Sequence, residues 1–145
     1  MLDEPIASLD PLARREFLQS LMAAVADGGL TVVLSSHILA DLERVCDHLI
    51  ILARSEVQLA GPIDDIVAGH RVLTCARSNA ASVGRVHSII HESHTERQTT
   101  LLVRANGRLY DARWQVDDVE LEEIVLGYLS GRSEVAEARR KEVAS

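Results

Sequence analysis

The 145-residue sequence predicts an α/β layer fold with a mainly parallel sheet over residues 1–69, followed by a small α+β module. Three observations carry this expectation. Short continuous apolar runs at Leu30–Leu34 and Leu49–Leu52 suit strands covered on both faces. Stretches of helical periodicity precede and follow the first of these runs. From His70 the pattern changes to closely spaced β-rich runs ending in one amphipathic helix.

Taken in order, the chain opens MLDEP. Asp3 and Glu4 follow only two apolar residues, whereas strands usually run about five to six. Met1 and Leu2 therefore read as the end of a strand. Asp10 and Pro11 read as an N-cap and a first-turn proline, opening a helix to about Asp27. Its apolar stripe is Leu18, Leu21, Met22 and Val25, and Asp27-Gly28-Gly29 ends it. Leu30–Leu34 is the next strand. Ser35-Ser36-His37 leads into a second helix carrying Leu39, Leu42, Val45 and Cys46. Leu49–Leu52 is a third strand and Val57–Ala60 a fourth, half exposed. Gly61-Pro62 starts a short helix with Asp64 and Asp65 in its first turn, where they favour the dipole. Beyond His70, strands are expected at Arg71–Ala76, Val86–His91 and Thr99–Arg104, with a weaker one at Arg113–Val116. Asn79–Gly84 reads as a helical turn and Leu121–Leu129 as a helix.

Composition narrows the function classes. Hydrophobic residues make up 47% and charged residues 26%, the balance of a folded globular chain. With aromatics at 3%, the core must be built from Leu, Val, Ile and Ala. A formal net charge of -7 argues against nucleic acid as the main partner, because phosphate backbones are held by clustered Lys and Arg. The densest basic run, Arg139-Arg140-Lys141, lies among Glu134, Glu137 and Glu142 in what reads as a solvated terminal helix or tail. Cys46 and Cys75 sit in apolar surroundings without paired spacing and read as buried free thiols. No apolar run reaches the roughly 18 residues of a membrane span.

Asp3 and Glu4 carry the chemistry. Neighbouring strand residues point to opposite faces, which disfavours a glycosidase pair flanking one bond. At the carboxyl end of a parallel strand, however, one carboxylate can hold a metal while the next orients a water, as phosphoryl transfer requires. His37 follows the next apolar run, so it can reach the same sheet edge, where ligands of open α/β sheets bind. Each residue also has a plainer reading. Asp3-Glu4-Pro5 alone is more often a surface turn, His37 after two serines a helix-capping neighbour, and Asp10 a cap in either case. His87, His91 and His94 lack convincing zinc spacing. Tyr110 and Trp114 read as local packing.

Taken together, LDEP, SLD, a helix and TVVLSSH resemble the second half of the ATP-binding cassette (ABC) ATPases, with Asp3 and His37 34 positions apart. The stretches ILADLERVCDHLIIL and QLAGPIDDI are similar to the usual sequel in bacterial transporter ATPases. The resemblance covers residues 1 to about 69 and implies the C-terminal part of a P-loop NTPase core, with residues 70–130 an added α+β module and 131–145 a charged tail. It implies Asp3 as the Mg²⁺ carboxylate, Glu4 as the catalytic carboxylate polarising the attacking water, and His37 as the switch histidine at the γ-phosphate. Ser8-Leu9-Asp10 would be the D-loop, placing Ser8 and Asp10 at the interface with a second ATPase domain. ATP and Mg²⁺ are the implied cofactors of the complete domain, a transmembrane permease the implied second partner, and the cytoplasmic membrane face the implied location.

The glycine-rich phosphate loop G-x-x-x-x-G-K-[ST], the adenine-stacking aromatic, the Q-loop and the LSGGQ-type signature are not in the sequence. The phosphate loop cradles phosphates with backbone N–H groups and a lysine, so the chain alone is expected to be inactive. The reading that follows is the C-terminal portion of a longer ATPase, with a naturally short descendant as its rival. The alternative function is a non-catalytic interaction or dimerisation module derived from such an ATPase.

Overall fold

The computed structural model describes residues 1–109 and 111–130. The expected tail at 131–145 and the role of Tyr110 lie outside the described residues. Two compact units are present, Met1–Cys46 and a second that starts at Asp47; the change of pattern at residue 70 falls inside the second.

The first unit runs β1 (Leu2–Asp3), α1 (Pro11–Gly28), β2 (Leu34–Ser35) and α2 (Leu39–Val45). β1 and β2 pair in parallel, Leu2 opposite Leu34 and Asp3 opposite Ser35, and the Leu2 N–H donates to the Val33 carbonyl at 2.8 Å. The run expected as a strand over Leu30–Leu34 is thus a strand only at Leu34–Ser35. A strand needs hydrogen-bonding neighbours, and β1 offers two residues; Leu30 and Val33 are left more than half exposed.

Helix α1 begins as its sequence requires. The Asp10 carboxylate accepts from the Leu12 and Ala13 N–H groups at 3.0 and 3.1 Å, satisfying two of the donors that a helix start leaves unpaired. Gly29 closes the helix at φ 60°, a left-handed conformation that costs glycine little. Of the expected apolar stripe only Leu18 is buried; Leu21 and Val25 are half-buried and Met22 is exposed. An Arg14–Asp41 ion pair at 3.5 Å ties α1 to α2.

In the second unit β3 (His48–Ala53) and β4 (Glu56–Pro62) form an antiparallel hairpin. The mainly parallel sheet expected for residues 1–69 is therefore not formed among the described residues: parallel pairing is confined to β1–β2, and the class is mixed α and β. The hairpin turns on Arg54 and Ser55, both at positive φ (53° and 63°). Two successive left-handed residues match the twist of the flanking strands, but neither is the Asn or Gly that would have announced such a turn.

Helix α3 (Ile63–Ala68) then leads to β5 (His70–Ala76), a 3₁₀ turn at Arg77–Asn79, α4 (Ala80–Val83), β6 (Ser88–His94), β7 (Gln98–Arg104) and β8 (Gln115–Asp117). A final helix, α5, occupies 121–130. The sheet order is β6-β7-β5-β8, antiparallel throughout. Leu73, Cys75, Val83, Leu101 and Val103 form the core on one face, with Ala80, Leu109 and Trp114 against it. Gly127 of α5 lies over Leu102, whose side chain belongs to the other face; a Cβ there would collide with the Leu102 side chain.

Two strands begin later than the sequence suggests. Val86 and His87 donate their N–H groups to the Val83 carbonyl at 3.0 and 2.9 Å, closing the α4 turn instead of joining β6. Arg113 and Trp114 are held in a turn by Asp111, through the Arg113 N–H to its carboxylate and the Trp114 N–H to its carbonyl, both 3.0 Å. Cys75 is buried as expected, Cys46 only half-buried.

Candidate functional site

The paired strand ends of the first unit gather the acidic and imidazole groups singled out in the sequence. Asp3 is the last residue of β1 and stands opposite Ser35. The Ser35 hydroxyl donates to Asp3 Oδ1 at 2.6 Å and accepts the Glu4 backbone N–H at 2.9 Å. Glu4 has left the strand. Its φ of 44° lies in the left-handed region that glutamate rarely adopts, a conformation that persists only where the surroundings hold it. Its side chain reaches His37, with Oε2 3.0 Å from Nδ1. Both are accessible, His37 at 70% and Glu4 at 41% of the side chain. The Ser36 hydroxyl accepts the Ile38 N–H at 3.0 Å, fixing the chain just after His37 at the entry to α2.

The segment after Glu4 is a tight turn. The Ala7 N–H donates to the Glu4 carbonyl and the Leu9 N–H to the Ile6 carbonyl, both at 3.2 Å, and Ile6 is fully buried. This anchor brings Ser8 out into solvent and leaves Asp10 at the start of α1. The Asp10 carboxylate is engaged by the helix, so its structural role is plain. Ser8 and Asp10 are not drawn into the Asp3–Glu4–His37 group by any hydrogen bond.

Three of the five sequence-selected residues thus converge, and two stand beside them on the following turn. Ser35, which links the Asp3 carboxylate to the Glu4 backbone N–H, was not singled out in the sequence. Its signal was present: a hydroxyl residue ends the apolar run two positions before His37, where the neighbouring strand ends in an acid.

The oxygen chemistry of Asp3 suits a hard cation such as Mg²⁺, which takes one or two carboxylates together with waters and substrate phosphates. Asp3 is exposed and its hydrogen bond to Ser35 uses Oδ1. Among the described residues no group of three or more His, Cys, Asp or Glu could enclose a metal, so Asp3 fits as one ligand of a shared site. Two of the histidines that lack zinc spacing have other partners. His87 is buried and accepts the Asn106 N–H at 3.1 Å, while His94 engages Thr99 at 2.8 Å and Glu92 at 2.6 Å. No described helix is long and apolar enough to cross a membrane.

No protein-family model matches the chain. Among curated proteins it is 39% identical over 66 residues to an uncharacterised ABC transporter ATP-binding protein of Synechocystis, covering 46% of this chain and 18% of that protein. It is 36% identical over 70 residues to the thiamine import ATP-binding protein ThiQ of Vibrio parahaemolyticus, covering 48% and 30%. It is 32% identical over 108 residues to the molybdenum import ATP-binding protein ModC of Rhodopseudomonas palustris, covering 74% and 28%. The last match is longer than the 69-residue motif-bearing stretch and so extends into the β-rich module. The chain spans less than a third of the length of each of these relatives.

Proposed function

From a chain whose curated relatives are ABC transporter ATP-binding proteins, we propose the following role. It contributes the metal-carboxylate, D-loop and switch-histidine segment of an ABC transporter ATP-binding subunit. Residues 1–69 supply part of the ATPase domain and residues 70–130 an added module. The observation that carries this reading is the joining of Asp3, Glu4 and His37 at two parallel strand ends through one serine hydroxyl and one carboxylate–imidazole contact.

Asp3 would hold Mg²⁺ through its exposed carboxylate, and the bound ion would neutralise charge on the phosphates of ATP. Glu4 would accept a hydrogen bond from the attacking water and orient it. His37 binds Glu4 through Nδ1, which leaves Nε2 to face the γ-phosphate. Ser8 and Asp10 lie on the turn that would meet a second ATPase domain. The remaining nucleotide contacts, above all a phosphate loop, would come from sequence outside these 145 residues. A permease partner at the cytoplasmic face of a membrane, an ATP-driven transport cycle and the absence of nucleic acid from its partners belong to the same proposal.

The test joins the chain behind a portion carrying a phosphate loop and compares ATP affinity with turnover. Glu4→Gln should lower turnover by about 10²–10⁴-fold, the usual contribution of a positioned general base, while ATP binding stays near normal. Asp3→Asn should weaken Mg²⁺-dependent binding as well, and His37→Ala should slow hydrolysis more than it weakens binding. Near-normal turnover in Glu4→Gln would remove Glu4 from the chemistry.

A further inference from the structure

We propose that Ser35 is the positioning residue that gives the two adjacent carboxylates their separate tasks; this rests on the phosphoryl-transfer reading of Asp3 and Glu4. A serine hydroxyl has one proton and two lone pairs. Here the proton goes to Asp3 Oδ1 at 2.6 Å and a lone pair receives the Glu4 N–H at 2.9 Å. One oxygen therefore fixes the side chain of the first acid and the backbone of the second. A hydrogen bond to an ionised carboxylate is among the stronger kinds, and because it engages Oδ1, Oδ2 would be the oxygen left to coordinate.

The second bond explains the bend at Glu4. Two consecutive residues of an undisturbed strand would send their side chains to opposite faces. At φ 44° Glu4 breaks that alternation, and its carboxylate comes to His37 at 3.0 Å. The Ser35 oxygen is the side-chain acceptor that receives the Glu4 N–H at this bend. Ser35 is also the direct partner of Asp3 in the parallel ladder, so the hydroxyl is delivered by strand register and needs no loop to place it. Ser35 touches neither nucleotide nor water in this scheme; it acts through Asp3 and Glu4.

The experiment has two arms, each with Ser35→Ala and Ser35→Thr. In the chain itself, the Glu4 amide is followed by ¹⁵N NMR. Ser35→Ala should shift its resonance and speed its hydrogen exchange, and Ser35→Thr, which keeps the hydroxyl, should restore both. In the chain joined to a phosphate-loop portion, turnover, KM for ATP and the Mg²⁺ concentration for half-maximal rate are measured. Ser35→Ala should lower turnover by about 10–100-fold, the range for residues that orient ligands from behind. It should also raise the Mg²⁺ requirement, with little change in KM for ATP and recovery in Ser35→Thr. Unchanged turnover and Mg²⁺ requirement in Ser35→Ala, beside a dead Glu4→Gln, would overturn the inference and leave the ATPase reading standing. A Ser35→Ala loss that threonine does not rescue, accompanied by a lower urea midpoint, would reduce Ser35 to a structural tie and overturn it too. Turnover surviving in Glu4→Gln would overturn the reading and the inference together.

Discussion

His70 is only 2% exposed, yet both ring nitrogens have partners. The Ile66 carbonyl, 2.6 Å from Nδ1, can only accept, so Nδ1 carries a proton; Nε2 then accepts the Tyr128 hydroxyl at 2.9 Å. That arrangement suits the neutral ring. Burial depresses the His70 pKa below its ordinary 6.5, the nearby Arg104 charge adds to this, and the bond to Ile66 opposes it. Burial depresses His87 in the same direction. The unfolded chain therefore takes up these protons at higher pH than the folded one, and stability must fall as pH drops below about 6.5. The urea midpoint is expected to be level above about pH 7 and to decline toward pH 5, with a shallower decline in His70→Gln; a level midpoint throughout would contradict this. At this scale the sequence exposed Asp3, Glu4, His37 and the Asp10 cap, because charge and position mark them. It did not expose Ser35 or the His70–Tyr128 pair. Their roles depend on neighbours 31 and 58 positions away along the chain.

Among the elements, legibility followed local rules. Helix α1 appears where its cap and its glycine breaker place it, α2 and α3 where the sequence expects them though no side chain caps either, and β3, β4, β5 and β7 where apolar runs do. The failures arise where a partner decides: β2 is cut to the length of β1, and the starts of β6 and β8 are claimed by turns. The β3–β4 hairpin also escaped, since Arg54 and Ser55 adopt left-handed conformations that their side chains do not advertise. Helix α1 offers a clean test. With two amide donors resting on one carboxylate, Asp10→Ala should cost about 0.5–2 kcal/mol. Amide exchange should rise first at Leu12 and Ala13. Unaltered protection at those two amides would show that the cap contributes nothing. Because Asp10 is also a proposed interface residue, this measurement on the isolated chain separates its helical role from any role in pairing.

Across the whole molecule, the outer face of the β3–β4 hairpin is uncovered. Ile50, Leu52 and Val57 are 62%, 65% and 60% exposed, and the register places Leu52 beside Val57 and Ile50 beside the exposed Ala60. Two-stranded sheets are marginal alone, and a contiguous apolar face on a folded chain marks a contact surface. The purified chain should therefore self-associate: its light-scattering mass should rise with concentration, and the double change Ile50→Lys with Leu52→Lys should suppress the rise. A constant monomer mass in the unaltered chain would argue against it. The two-residue β1–β2 ladder has a consequence in free energy. Strands β6 and β7 are separated by three residues, whereas the Asp3–Ser35 contact spans 32 positions. A tenfold longer loop costs about 2 kcal/mol more to close, and only two residue pairs repay it. Closing the strand ends bearing Asp3, Glu4 and His37 is thus a costly step for the few contacts it gains. Any ligand that bridges Asp3 and His37 also holds that ladder shut, so its binding and the closing of those strand ends are coupled.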